Sequence, residues 1–198
     1  MARLSFIALL STAVLATLGS AAPIQFKASS SSSSSAAKAS STASASSASS
    51  SSSASAGSFQ LLDYADFQIS DGVAGDAEAE ANAVFVDPFD GVDLASVDET
   101  TLDNIQTMRE AAEDAETEKF NSAIEAASGD EADALQVGKI KNKVLKLTGE
   151  VQALKIKIAQ AGGDTADLED KLAEEQKKLD TNIATDKKSA GATSQSVV

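Results

Sequence analysis

Between Ile140 and Gln160, in IKNKVLKLTGEVQALKIKIAQ, the residues Ile140, Val144, Leu147, Val151, Leu154 and Ile158 follow one another at steps of four, three, four, three and four. On a helix this spacing makes one continuous apolar stripe, and such a stripe must be covered. Lys139, Lys141, Lys143, Lys146, Lys155 and Lys157 border it with only Glu150 among them, in a chain whose formal net charge is -14. A basic rim in so acidic a protein requires an acidic helix alongside. The segment from Asp63 to Asp133 supplies one, with 21 acidic residues against Arg109 and Lys119, whereas Val137 to Lys188 carries 11 Lys against 9 acids. The two halves attract.

The partners of the stripe are readable on both sides. Leu102, Ile105, Met108, Ala112, Ala115, Phe120, Ile124 and Ala127 give a broad apolar side to a preceding helix, opened by Ser96 and Glu99 at capping-box spacing and stopped at Ser128-Gly129. Asp130 and Asp133 restart the chain as the striped helix, so each long helix is on the order of 45 Å. Gly162-Gly163 followed by Asp164 reads as a reversal. Leu168, Leu172, Leu179 and Ile183 then line a last helix, and the chain frays from Ser189 onward. Before these, Phe59 to Ile69 forms a short helix or extended lead-in. Ser70 and Asp71 cap a short helix with Val73, Ala77, Ala81 and Val84 on one face, ended by Pro88. The expected fold class is all-α, an antiparallel bundle of three to four helices with a long helical hairpin over residues 59–190, followed by a frayed tail over 191–198.

What precedes the bundle is of another kind. Met1 to Ala21 has a positive start at Arg3, a hydrophobic run from Leu4 to Leu18 and the small residues Gly19-Ser20-Ala21, the features of a secretory signal. The run is shorter than the roughly 20 apolar residues that span a bilayer. Over 22–58 a disordered arm is expected, because Ser29 to Ser58 is almost entirely Ser and Ala and has nothing to bury; it is either a passive spacer or an O-glycosylated stalk. The expected location is extracellular, with cell-wall association as a variant and no membrane span after signal removal.

The absence of Cys, His and Trp narrows the chemistry. Thiolate and imidazole catalysis, disulfides and the common zinc and copper sites all require residues that this chain does not have. The acidic balance opposes nucleic acid and anionic membrane surfaces as partners.

FQISDGVAGDAEAEANAVF from Phe67 to Phe85, with Lys139 to Gln160 and EEQKKLDTNIATDKK from Glu174 to Lys188, resembles a group of small secreted helical proteins of filamentous fungi. The likeness runs from Phe59 to about Gly191. It implies a signal peptide with one helical domain and membership among effector candidates. It carries no catalytic activity and no functional residue to any position here.

No catalytic, cofactor-binding or metal-ligating residue is therefore assigned. Asp87, Asp90 and Asp93 in a loop with Gly91 are the nearest approach to a calcium site, but they lack the EF-hand spacing and read better as turn and capping residues. Gly72 and Gly75 lack the third Gly and the Lys of a phosphate loop. Paired carboxylates could serve glycoside hydrolysis, although a solvated helix face accounts for the acids more simply. The expectation is a non-enzymatic monomer that acts outside the cell on an unknown protein or cell-wall partner. A carrier of an apolar ligand held between the helices is the alternative.

Overall fold

The computed structural model describes residues 59–198. The expected signal at 1–21 and the Ser/Ala arm at 22–58 lie outside the described residues. The described domain is an all-α bundle. In chain order it comprises α1 (Tyr64–Phe67), β1 (Gly72–Val73), α2 (Ala77–Phe85), α3 (Glu99–Asp114), α4 (Asn121–Ala126), α5 (Asp130–Gln160), α6 (Ala166–Lys188) and β2 (Thr193–Ser194). Single 3-10 turns at Asp87–Phe89 and Leu94–Ser96 bridge α2 to α3.

α5 is the axis. Its stripe is covered as its spacing requires, with Val144, Leu147, Val151 and Leu154 all buried. Burial goes well beyond the stripe, however: 15 of its 31 residues are buried, including Lys141, Asn142, Leu145, Thr148, Gln152 and Ile156. One apolar stripe predicts one covered face. Here α3 lies on one side, α6 on another, and α2, the second 3-10 turn and β2 close the rest. α6 returns along α5 as the expected hairpin, and Leu179 is its one buried apolar residue.

The helix expected before α5 is present but not uniform. Its N-cap is Asp98, which accepts from the Thr101 amide at 2.9 Å and the Thr101 hydroxyl at 2.8 Å, so the capping box expected from Ser96 and Glu99 is not formed. Ser96 sits in the preceding 3-10 turn, where its hydroxyl donates to the Asp93 carbonyl. Between α3 and α4 the residues Ala115–Phe120 widen into π-helix. A π turn disturbs the carbonyl ladder around it, and the buried Asn142 donates its Nδ2 to the Ala112 carbonyl at 2.7 Å. A side chain of α5 thus supports the irregularity in its neighbour.

Two further expectations are corrected. Ser70 and Asp71 do not cap a helix, because Ser70 to Gly75 is extended and turning chain and α2 starts only at Ala77. Val73 is accordingly 56% exposed, whereas Ala77 and Ala81 are buried as that face demanded. Nor does the carboxyl end fray. β2 pairs antiparallel with β1, Gly72 opposite Ser194 and Val73 opposite Thr193, and Ser194 and Ser196 are buried. The tail also crosses α5, where the Gln195 amide donates to the Ala134 carbonyl at 3.1 Å. Gly138 permits that crossing, since a Cβ there would run into the Gln195 carbonyl oxygen.

At the other end of α2, Phe59, Phe67, Phe85 and Phe89 form an aromatic cluster with ring centroids 5.5 to 6.2 Å apart. The lead-in therefore plugs the bundle with aromatic contacts.

Candidate functional site

The densest set of buried polar groups surrounds the turn of FQISDGVAG, where β1, α2, α5, α6 and the tail meet. Lys141 belongs by its spacing to the basic rim of the apolar stripe, which the acidic helix is expected to pair. Its side chain is instead fully buried. Its Nζ lies 2.8 Å from Glu80 Oε2 and donates to the carbonyls of Asp71 and Val73 at 3.1 Å each. These two carbonyls belong to the side of β1 that β2 leaves unpaired. The ammonium therefore gives donors to a strand edge that no other backbone group pairs. Glu80 Oε2 has ionic proximity to Lys141 without hydrogen-bond geometry, and the carboxylate is 41% exposed.

Asp186 reaches the same turn from α6. It is 1% exposed, and its Oδ2 accepts from the amides of Gly75 at 3.1 Å and Ala77 at 3.0 Å. A carboxylate at these amides satisfies the first turn of α2 and matches the positive end of its dipole. The sequence offers α2 its own Asp76 for this purpose, but Asp76 makes no side-chain cap. Gly75, with φ +125, provides a conformation that a side chain would strain. The Ser194 hydroxyl donates to the Ser70 carbonyl, and the Ser196 amide donates to Asp71 Oδ1 at 3.0 Å. The Ser70 and Asp71 pair expected to cap a helix thus anchors the tail.

Tyr64, the one tyrosine, extends the network. Its hydroxyl donates to Asn142 Oδ1 at 2.8 Å, so a chain of hydrogen bonds runs from α1 through α5 to the Ala112 carbonyl. Burial pushes the phenol up to about 12; the Ser70 hydroxyl close by pulls the other way without reaching hydrogen-bond geometry, and Asp71 adds a further upward push. A phenol so protected is a hydrogen-bond donor, not a base.

A second cluster lines a groove of about 320 Å³ between α3, α5 and α6. Arg109 pairs with Glu113 and, at 3.3 Å, with Glu150; Lys171 joins Glu150 at 2.6 Å. Farther along, Glu116 in the π turn receives Lys146 at 2.6 Å and Lys143 at 3.6 Å. Burial pushes Glu116 up, but the Lys146 hydrogen bond and the charges of Lys146, Lys143 and Lys139 outweigh it, leaving the carboxyl below its usual range. Glu150 follows the same balance, with Lys171, Arg109 and Lys157 outweighing burial. Attraction between the acidic and lysine-rich halves thus takes shape at a few positions. Lys155 stays exposed, and Lys157 and Lys139 go to Gln106 and Asn121.

The loop acids are divided. Asp93 caps the second 3-10 turn by accepting from the Ala95 amide at 3.0 Å, Asp87 opens the first, and Asp90 is exposed. Among the described residues no group of three or more Asp and Glu gathers as a metal site. Gly72 lies in β1, and the Gly75 amide is taken by Asp186 Oδ2 at 3.1 Å. Sequence reasoning missed Lys141, Asn142 and Asp186, because a polar residue within a helical pattern gives no sign of what lies opposite it.

The pattern of a family described as domain of unknown function (DUF8454) matches residues 59–198. No curated protein and no solved structure matches the chain.

Proposed function

This chain belongs to the DUF8454 family, and we propose that it is a secreted, non-enzymatic protein that acts outside the cell by binding, in the manner of the small secreted helical proteins of filamentous fungi that it resembles. The observation that carries this reading is how the buried polar groups are used. Lys141, Asp186 and Asn142 each bond to backbone groups of the fold, so the most distinctive stretch of the sequence, FQISDGVAG, is spent on architecture. The carboxylates with a resolved shift, Asp98, Glu116 and Glu150, lie below their usual range, the opposite of what a general acid needs.

What remains for function is the outer surface. Of the acids between Asp63 and Asp133, only Glu78, Glu80, Glu110, Glu113 and Glu116 enter ion pairs among the described residues. The others leave α2 to α4 strongly negative, a surface that favours cationic partners and repels anionic ones.

Expression with the chain's own leader, followed by sequencing of the product, tests the location. The reading expects protein in the medium that begins just after Ala21. An uncleaved chain retained in the cells overturns it. For the binding role, the purified domain is incubated with isolated wall material and with basic extracellular proteins. Salt-sensitive retention is expected, and turnover of any supplied glycoside would contradict the non-enzymatic reading.

Carriage of an apolar ligand is the second reading. The open groove of about 390 Å³ beside Ala123, Ala127, Leu135 and Val197 is its most suitable place. Native mass spectrometry of the secreted protein is expected to find extra mass in that case, and a bare chain mass removes the idea.

A further inference from the structure

The turn between α5 and α6 carries an order that a simple reversal does not require. Counted on from Ile158, the four-three steps pass through the exposed Ala161 and the polar Thr165 and reach the apolar Leu168 and Leu172 in phase. A turn between two helices is free to reset the register. Here the phase is kept, as if α5 and α6 could be read as one helix with one stripe.

The two glycines of the turn are not explained by the hairpin either. Neither Gly162 nor Gly163 has a positive φ, and a Cβ on either would meet nothing. The compact chain therefore demands glycine at neither position.

The contacts of the segment beyond the turn complete the case. Lys171 pairs with Glu150 on α5, Lys187 with Glu78 on α2, Asp186 clamps the amides of Gly75 and Ala77, and β2 pairs with β1. All these partners precede the turn. A second copy offers every one of them in the same arrangement.

We propose that this chain also forms a dimer with a second copy of itself, in which the turn straightens, α5 and α6 run on as one helix, and α6 with β2 takes in the partner copy the place it holds in its own. The joined helix runs from Asp130 to Lys188, on the order of 90 Å. Two such helices lie antiparallel, each α5 against the other copy's α6, with the two-fold axis at the former turns. The glycines meet at that crossing. There they allow close approach, and in the compact form they disfavour the straight helix, so the pair sets the balance between the two states. This inference does not depend on the secreted binding role, and its test reads association alone.

The test uses residues 22–198, refolded at high concentration and sized by light scattering behind a gel-filtration column. A dimer is expected. The double variant Gly162→Ala/Gly163→Ala raises the dimer association constant roughly tenfold or more, because alanine favours continuous helix. Insertion of Gly-Ser-Gly-Ser between Gly162 and Gly163 abolishes the dimer while helical circular dichroism is retained. Exchange is read separately by refolding Glu150→Cys and Lys171→Cys chains together. The native chain has no cysteine, so a disulfide joining the two unlike variants in excess over like pairs reports α6 of one copy on α5 of the other. Monomer in every variant overturns the proposal, as does a dimer that the insertion leaves intact or that gives no excess of unlike pairs.

Discussion

Lys141 gives up a hydrated ammonium for one carboxylate and two carbonyls, an exchange that holds only because all three partners are fixed by the fold. Replacing it with Met keeps the length of the side chain and removes the donors. Glu80, partly exposed, returns to water, whereas the carbonyls of Asp71 and Val73 lose the donor they share. Lys141→Met should therefore cost about 1.5–3 kcal/mol in denaturant unfolding, the range for losing hydrogen bonds to a charged group. Asp186→Ala should cost about 1–2 kcal/mol in the same assay, as a lost helix cap does. Tyr64 is open to direct observation, since the chain has one Tyr and no Trp. Near-ultraviolet titration of the folded protein should find its phenol ionising near 12. The folded value is raised above the usual value of about 10, so this contribution to stability is complete below about pH 10 and is lost as pH rises toward 12. A midpoint near 10 in the folded protein would show that Tyr64 is not enclosed.

Among the elements, those specified by apolar periodicity were legible and those specified by polar contacts were not. Val144, Val151 and Leu154 announce a buried helix, and Gly162-Gly163 between two apolar patterns announces a hairpin. β1 and β2 announce nothing, because two-residue strands such as Gly72–Val73 and Thr193–Ser194 are too short for alternation. The tail reads as frayed for the same reason: Ser194 and Ser196 are buried by hydrogen bonds to Ser70 and Asp71, with little apolar area to signal it. The string FQISDGVAG was recognisable as distinctive, but its role depends on Lys141 and Asp186, distant in sequence. Ser96 reads as the cap from capping-box spacing, and local geometry gives that place to Asp98 with two bonds from Thr101. Asp98→Ala should lower the thermal midpoint and Ser96→Ala should leave it nearly unchanged. Gly138→Ala should push β2 off α5, costing about 1–3 kcal/mol as overpacking does, with the tail becoming sensitive to carboxypeptidase.

For the whole domain, charge is managed by a few pairs set in a large acidic excess. Glu116 and Glu150 have folded values below their usual range, so the stability they contribute is present above about pH 4.5 and is lost as pH falls through their lower folded values. Protonation of unpaired acids relieves self-repulsion over the same range. The thermal midpoint should accordingly hold from neutrality to about pH 5 and fall only below about pH 4. The central claim is that α5 is an axis enclosed by the chain's own segments, with the carboxyl tail as part of the enclosure. Hydrogen exchange followed by mass spectrometry tests it most directly. The account predicts that amides from Lys141 to Ile156 exchange last, and that those donated across β1, β2 and the Gln195 crossing are protected well beyond free-chain rates. A tail exchanging as an open chain, or an α5 no slower than the exposed turn at Gly162-Gly163, would contradict it.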